Sequence, residues 1–140
     1  MRVACIQMRS GTDPAANAAI MGDLVSEAAA QGAQYVQTPE MTGLLEKNPK
    51  RLLEIIEPEE SDPSFLAAGE LAKRHGIWLH LGSTAIRREE TGTDGRAANR
   101  GGVFSPDGTL VATYDKIHMF DVAVDENNRW QESARYAPGE

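Results

Sequence analysis

YVQTPEM, residues 35–41, starts as a strand and ends on an acid. Tyr35 and Val36 suit a pleated strand, and Pro39, with no N–H to give a ladder, stops it. Glu40 stands directly behind the proline, at the mouth of the strand. Upstream, Asp13-Pro14 supplies a helix start, with Asp13 as N-cap and Pro14 at the first helical position. The alanine-rich stretch to Ala30 follows, with Ile20, Leu24, Val25 and Ala28 on one stripe, and Gly32 closes it. RVACIQM, residues 2–8, reads as a short apolar strand of the kind buried inside a sheet. The opening is therefore β-α-β.

Downstream, Asp62-Pro63 repeats the cap chemistry and predicts a helix to about His75, closed by Gly76. IWLHLGSTAI, ANRGGVFS and LVATYDKI read as three further strands. Ser105-Pro106-Asp107-Gly108 joins the last two as a hairpin turn. Residues 89–98 read as a flexible exposed loop, and EIIEPEESD, residues 54–62, as a solvated acidic one. The order β-α-β-α-β-β-β predicts an α/β architecture with a mixed sheet. No Gly-rich fingerprint follows the first strand and no P-loop is present, so the pattern does not match a Rossmann or P-loop nucleotide-binding unit.

The chain has 140 residues, 41% hydrophobic and 25% charged, the composition of a single soluble globular domain. Its net charge of −7 argues against a nucleic-acid or anionic-membrane binder, which needs a basic face. Cys5 is the single cysteine, so no disulfide forms within the chain and a reducing compartment is expected. The sequence has neither a signal-peptide pattern nor a run of membrane-spanning length. These features together predict a cytoplasmic protein. The three histidines show no metal-ligand spacing.

Lys116 ends a strand pattern as Glu40 does. In an open α/β sheet, ligands gather beyond the carboxyl ends of strands, so both side chains can face one pocket. A carboxylate there acts as a general base, and an ammonium stabilises an oxyanion. Spacing alone equally allows a plain salt bridge.

The local words separate these readings. PEM at 39–41, LGS at 81–83, Asn99-Arg100, SPDGTLVATYDKIHMFD at 105–121 and ESARYAPGE at 132–140 resemble the nitrilase, or carbon–nitrogen hydrolase, superfamily. The resemblance implies a four-layer α-β-β-α sandwich with mixed sheets and a Glu–Lys–Cys triad. It identifies Glu40 as the base and Lys116 as the oxyanion-stabilising lysine. Glu132 corresponds to a second, substrate-positioning glutamate. The implied substrate is a small amide, attacked by a thiolate through a thioester, with no metal or organic cofactor. The branch it most resembles comprises ω-amidases and deaminated-glutathione amidases, whose substrates bear a carboxylate. Arg100 and Arg129 are the candidate partners for that group.

The family's nucleophile follows a further strand beyond the lysine-bearing word, and the chain stops at Glu140. Cys5, between Ala4 and Ile6, is expected to be buried core and no substitute. Residues 1–140 are therefore expected to be the N-terminal portion of a single catalytic domain, truncated before the nucleophile strand and inactive alone. A homo-oligomer is expected for the full-length protein. The alternative is a non-catalytic nitrilase-like module for binding or assembly. Trp130 is close enough to Glu132 in sequence to line a pocket mouth.

Overall fold

The computed structural model describes residues 1–88, 94–123 and 129–140. Its centre is a five-stranded sheet in the order β1-β2-β3-β4-β5. These strands are β1 Val3–Cys5, β2 Tyr35–Gln37, β3 Trp78–Ile86, β4 Ala98–Phe104 and β5 Leu110–Asp115. The first three run parallel, and β4 and β5 return antiparallel. A two-stranded ribbon, β6 Asp121–Ala123 and β7 Arg129–Gln131, stands apart. The mixed α/β class expected from the sequence is what is observed.

Three helices start in the same way. α1 (Pro14–Ala30), α2 (Pro49–Ile55) and α3 (Pro63–His75) begin at a proline behind Asp13, Asn48 and Asp62. Each cap side chain accepts two backbone N–H bonds that the first turn leaves unpaired. After α1, Gly32 takes φ 84° while Ala33 N bonds Ala28 O, closing the helix as glycine allows. Gly76 ends α3 in the left-handed region.

α1 and α3 cover one face of the sheet, where Met21, Val25, Phe65, Leu71, Leu79, Leu81 and Phe104 form the main core. The α1 stripe differs from the expected one: Asn17, Ala18, Met21 and Val25 are buried and Ile20 is exposed. Asn17 explains the rotation. Its amide nitrogen donates to Gly11 O and Gly43 O, and its oxygen accepts from Gly11 N, so burial leaves it fully bonded. A second cluster, Leu44, Leu52, Ile56, Ala85, Ala97 and Tyr136, lies at the far end of β3 and β4.

Several expectations are corrected. β1 is an edge strand, and Cys5 is exposed rather than buried. Alternation is the reason: Ala4 and Ile6 pack into the core, and Cys5 projects from the other side of the strand. α2 was not expected, because the acidic composition of 54–62 hid the Asn48-Pro49 start. That segment is only partly solvated, since Asp62 is buried as the cap of α3 and Glu59 pairs with Arg100. Burial pushes the Asp62 carboxyl up from its ordinary value. The expected loop at 89–98 lies partly outside the described residues. Within them, Ala97 and Ala98 are buried, and Ala98 begins β4.

Candidate active site

Glu40 is positioned by the end of β2. Thr38 N continues the parallel ladder to His80 O, and Gly82 N donates to the buried Thr38 hydroxyl. The next residues fold across β3, where Met41 N reaches Ser83 Oγ and Thr42 N reaches Ser83 O. Met41 holds φ 56°, unusual for a side chain of its size. Gly82 makes the crossing possible: a Cβ there would lie 2.3 Å from Thr38 O and 2.4 Å from Pro39 O. No side chain fits.

Lys116 follows β5 and is pinned by its backbone. Its N–H donates to Asn99 O, and its carbonyl accepts from Gly139 N. Glu132 opens a 3₁₀ turn, Glu132–Ala134, directly after β7. Its Oε2 accepts from Phe120 N at 2.6 Å, which fixes the buried carboxylate.

All three residues singled out in the sequence meet. Lys116 Nζ lies 2.8 Å from Glu40 Oε1 and 3.0 Å from Glu132 Oε2. Their side chains grade from open to enclosed: 58% exposed for Glu40, 26% for Lys116 and 10% for Glu132. The ammonium thus sits between an open carboxylate and a closed one. Its hydrogen bond, set against the cost of partial burial, holds the Glu40 carboxyl below its ordinary range. Burial works against the Lys116 charge, but the two carboxylates outweigh it and raise its pKa.

Asn99 is a member that residue-type reasoning missed, although it stands in one of the quoted words. Buried on β4, it donates from Nδ2 to Glu40 Oε1 at 2.9 Å and reaches Glu132 Oε1 at 3.5 Å. Its own Oδ1 is buried without a hydrogen-bond partner among the described residues. Both donors converge on Oε1 of Glu40, and Oε2 is unpartnered among the described residues. An unpartnered, solvent-facing carboxylate oxygen can accept a proton.

Glu40, Lys116 and Glu132 line a cleft of about 300 Å³ with Met41, Leu45, Phe120, Trp130, Arg135 and Tyr136. Cys5 lines a different cavity, with Arg2, Glu27 and Gln31. Arg100 does not reach the cleft: it forms a bidentate pair with Asp115 and a third bond to Glu59. Asp115, with Glu59 behind it, raises its pKa and keeps it charged. Arg129 is exposed on β7 and does not line the cleft either. Neither expected arginine lines the cleft. His118 is exposed, and His75 and His80 bond Ser26 and Tyr35. Among the described residues no group of three potential ligands could hold a metal ion. No helix among them is long and apolar enough to cross a membrane.

The carbon–nitrogen hydrolase pattern matches residues 2–140, and the chain belongs to that family. It is 38% identical to an omega-amidase of Danio rerio over 99% of its length, covering 47% of that protein. A deaminated glutathione amidase of Yersinia enterocolitica is 34% identical, with the same coverage of both chains. The chain therefore spans about half the length of the curated relatives it matches. Among solved structures it resembles the NitFhit protein of C. elegans, with TM-score 0.82, 24% identity and coverage of 99% of this chain and 33% of that one. An amidase from Nesterenkonia sp. gives TM-score 0.76 at 24% identity, with coverage of 100% and 48%. A glutamate-to-glutamine variant of that amidase carries acrylamide added at its active site cysteine.

Proposed function

We propose that residues 1–140 form the acid–base and oxyanion half of an amidase site for small, carboxylate-bearing amides. One observation carries this reading: Glu40, Lys116 and Glu132, from three separate parts of the chain, converge within hydrogen-bond distance in one open cleft. Packing has no need of this, because ion pairs this open contribute little net stability.

In this reading the nucleophile is a thiol other than Cys5, which lines a different cavity from Glu40. Glu40 Oε2 takes the thiol proton, and the thiolate attacks the amide carbon. The carbonyl electron pair moves to oxygen, where the Lys116 ammonium stabilises the charge. Glu40 returns the proton to the amide nitrogen, and ammonia leaves as the C–N bond breaks. Water, deprotonated by Glu40, then cleaves the thioester to acid and thiol. Glu132 holds Lys116 in place and neutralises part of its charge in the resting state. No step in this sequence calls for a metal or organic cofactor.

The low Glu40 pKa fits the resting role. Its carboxylate is ionised at neutral pH and ready to accept a proton, and the driving force comes from the thiolate's consumption by the substrate. We also propose a cytoplasmic location and a homo-oligomer for the complete protein. The test is ammonia release from small amides by protein carrying the complete domain. Glu40→Gln and Lys116→Ala should each lower kcat by about 10²-fold or more, while Cys5→Ser leaves it unchanged. Release by the 140-residue chain that disappears in Cys5→Ser would overturn the assignment.

A further inference from the structure

The charged groups lining the cleft are not all paired with one another. Lys116 pairs with both Glu40 and Glu132 and offsets one of their two charges, and Arg51 pairs with Glu46 at 3.3 Å. Lys47 and Arg135 remain as lining cations with no carboxylate partner among the described residues. They differ in order. Lys47 is an exposed chain at the rim, whereas Arg135 is half-buried and lies with its guanidinium carbon 4.5 Å from the centre of the Trp130 ring.

That arrangement has a local cause. Arg135 N bonds Glu132 O at 2.9 Å, closing the 3₁₀ turn that Glu132 opens. Arg135 directly follows that turn and lines the same cleft as Glu132. One turn therefore aims a carboxylate at Lys116 and a guanidinium at the same cleft. Stacking on Trp130 occupies the face of the guanidinium and leaves its N–H edge for a planar anion. The ring also limits the rotamers of Arg135, so less freedom is lost when an anion binds.

We infer that Arg135, stacked on Trp130, receives the far-end carboxylate of the substrate while the amide end lies at Glu40 and Lys116. This deepens the amidase reading and rests on it for the identity of the reacting end. Arg135 takes the place that sequence reasoning reserved for Arg100 or Arg129. It is a specificity residue, distinct from the proton-transfer groups.

The experiment compares succinamate with butyramide, which is similar in length and lacks the carboxylate. Binding is followed by the fluorescence of Trp130, with Trp130→Phe identifying its signal against Trp78, and ammonia release is measured in parallel on protein carrying the complete domain. The parent should bind succinamate about tenfold or more tightly than butyramide. Arg135→Gln should remove that preference with butyramide binding unchanged, and Arg135→Lys should retain part of it. Far-UV circular dichroism establishes that each variant is folded. A parent without preference, or a folded Arg135→Gln that keeps it, overturns the inference. A carboxylate preference that depends on Arg135 without ammonia release from either amide supports the Arg135 site and overturns the amidase reading instead.

Discussion

Lys116 Nζ lies 2.8 Å from Glu40 Oε1, although 76 positions separate the two residues in the chain. The pair therefore reports the tertiary fold directly. Because the Glu40 carboxyl is held below its ordinary value of 4.5, its contribution to stability is complete above that pH. It is lost as pH falls through the folded value. For Lys116, raised above 10.5, the contribution is complete below that pH and is lost as pH rises through the folded value. In Lys116→Met the Glu40 carboxyl should titrate at higher pH, measured by carbon-13 NMR of labelled glutamate. An unmoved titration would mean that the pair does not form in solution.

Asn99 should be intolerant of a carboxylate. Asn99→Asp replaces a donor shared by Glu40 and Glu132 with a third negative group in the same space. Like-charge repulsion and burial both raise the pKa of such an acid, so it destabilises the fold at neutral pH. The deficit should shrink as pH falls toward about 4, the ordinary range of an aspartate. Thermal unfolding at pH 7 and pH 4 checks this; an equal loss of Tm at both would point to packing instead.

Gly82→Ala should be costly without touching any charged group. The new Cβ would meet the carbonyl oxygens of Thr38 and Pro39, both backbone atoms, well inside contact distance. A loss of about 2 kcal/mol is expected from overpacking of this kind, read by urea unfolding. The loop bearing Glu40 must shift to accept the methyl, so under the proposed amidase reading ammonia release by protein carrying the complete domain should fall with it.

Cys5 should behave as a surface thiol. Its exposure on edge strand β1 predicts stoichiometric reaction with a maleimide under native conditions. Cys5→Ser should change stability by no more than about 0.5 kcal/mol, as for an ordinary surface substitution. A thiol that reacts only after unfolding would show that this face of β1 is covered.

The features legible in the chain were those set by neighbours a few positions apart. Asp13-Pro14 and Asp62-Pro63 start helices, Gly32 and Gly76 close them, and Ser105 to Gly108 makes its turn, because caps and turns are local hydrogen-bonding problems. Asn48-Pro49 carried the same signal and was masked by the acids that follow it. Family words single out Glu40, Lys116 and Glu132; their meeting at one ammonium is a property of the folded chain. What only the tertiary structure decided was the facing and partnering of side chains. Cys5 is open because α1 and α3 cover the other side of the sheet. Arg100 is committed because folding brings Asp115 and Glu59 to it, whereas Arg135 is left to stack on Trp130. An arginine looks the same in either place along the chain. Its availability depends on which carboxylates arrive within about 4 Å, and at that range contacts are made by strand register rather than by sequence neighbours.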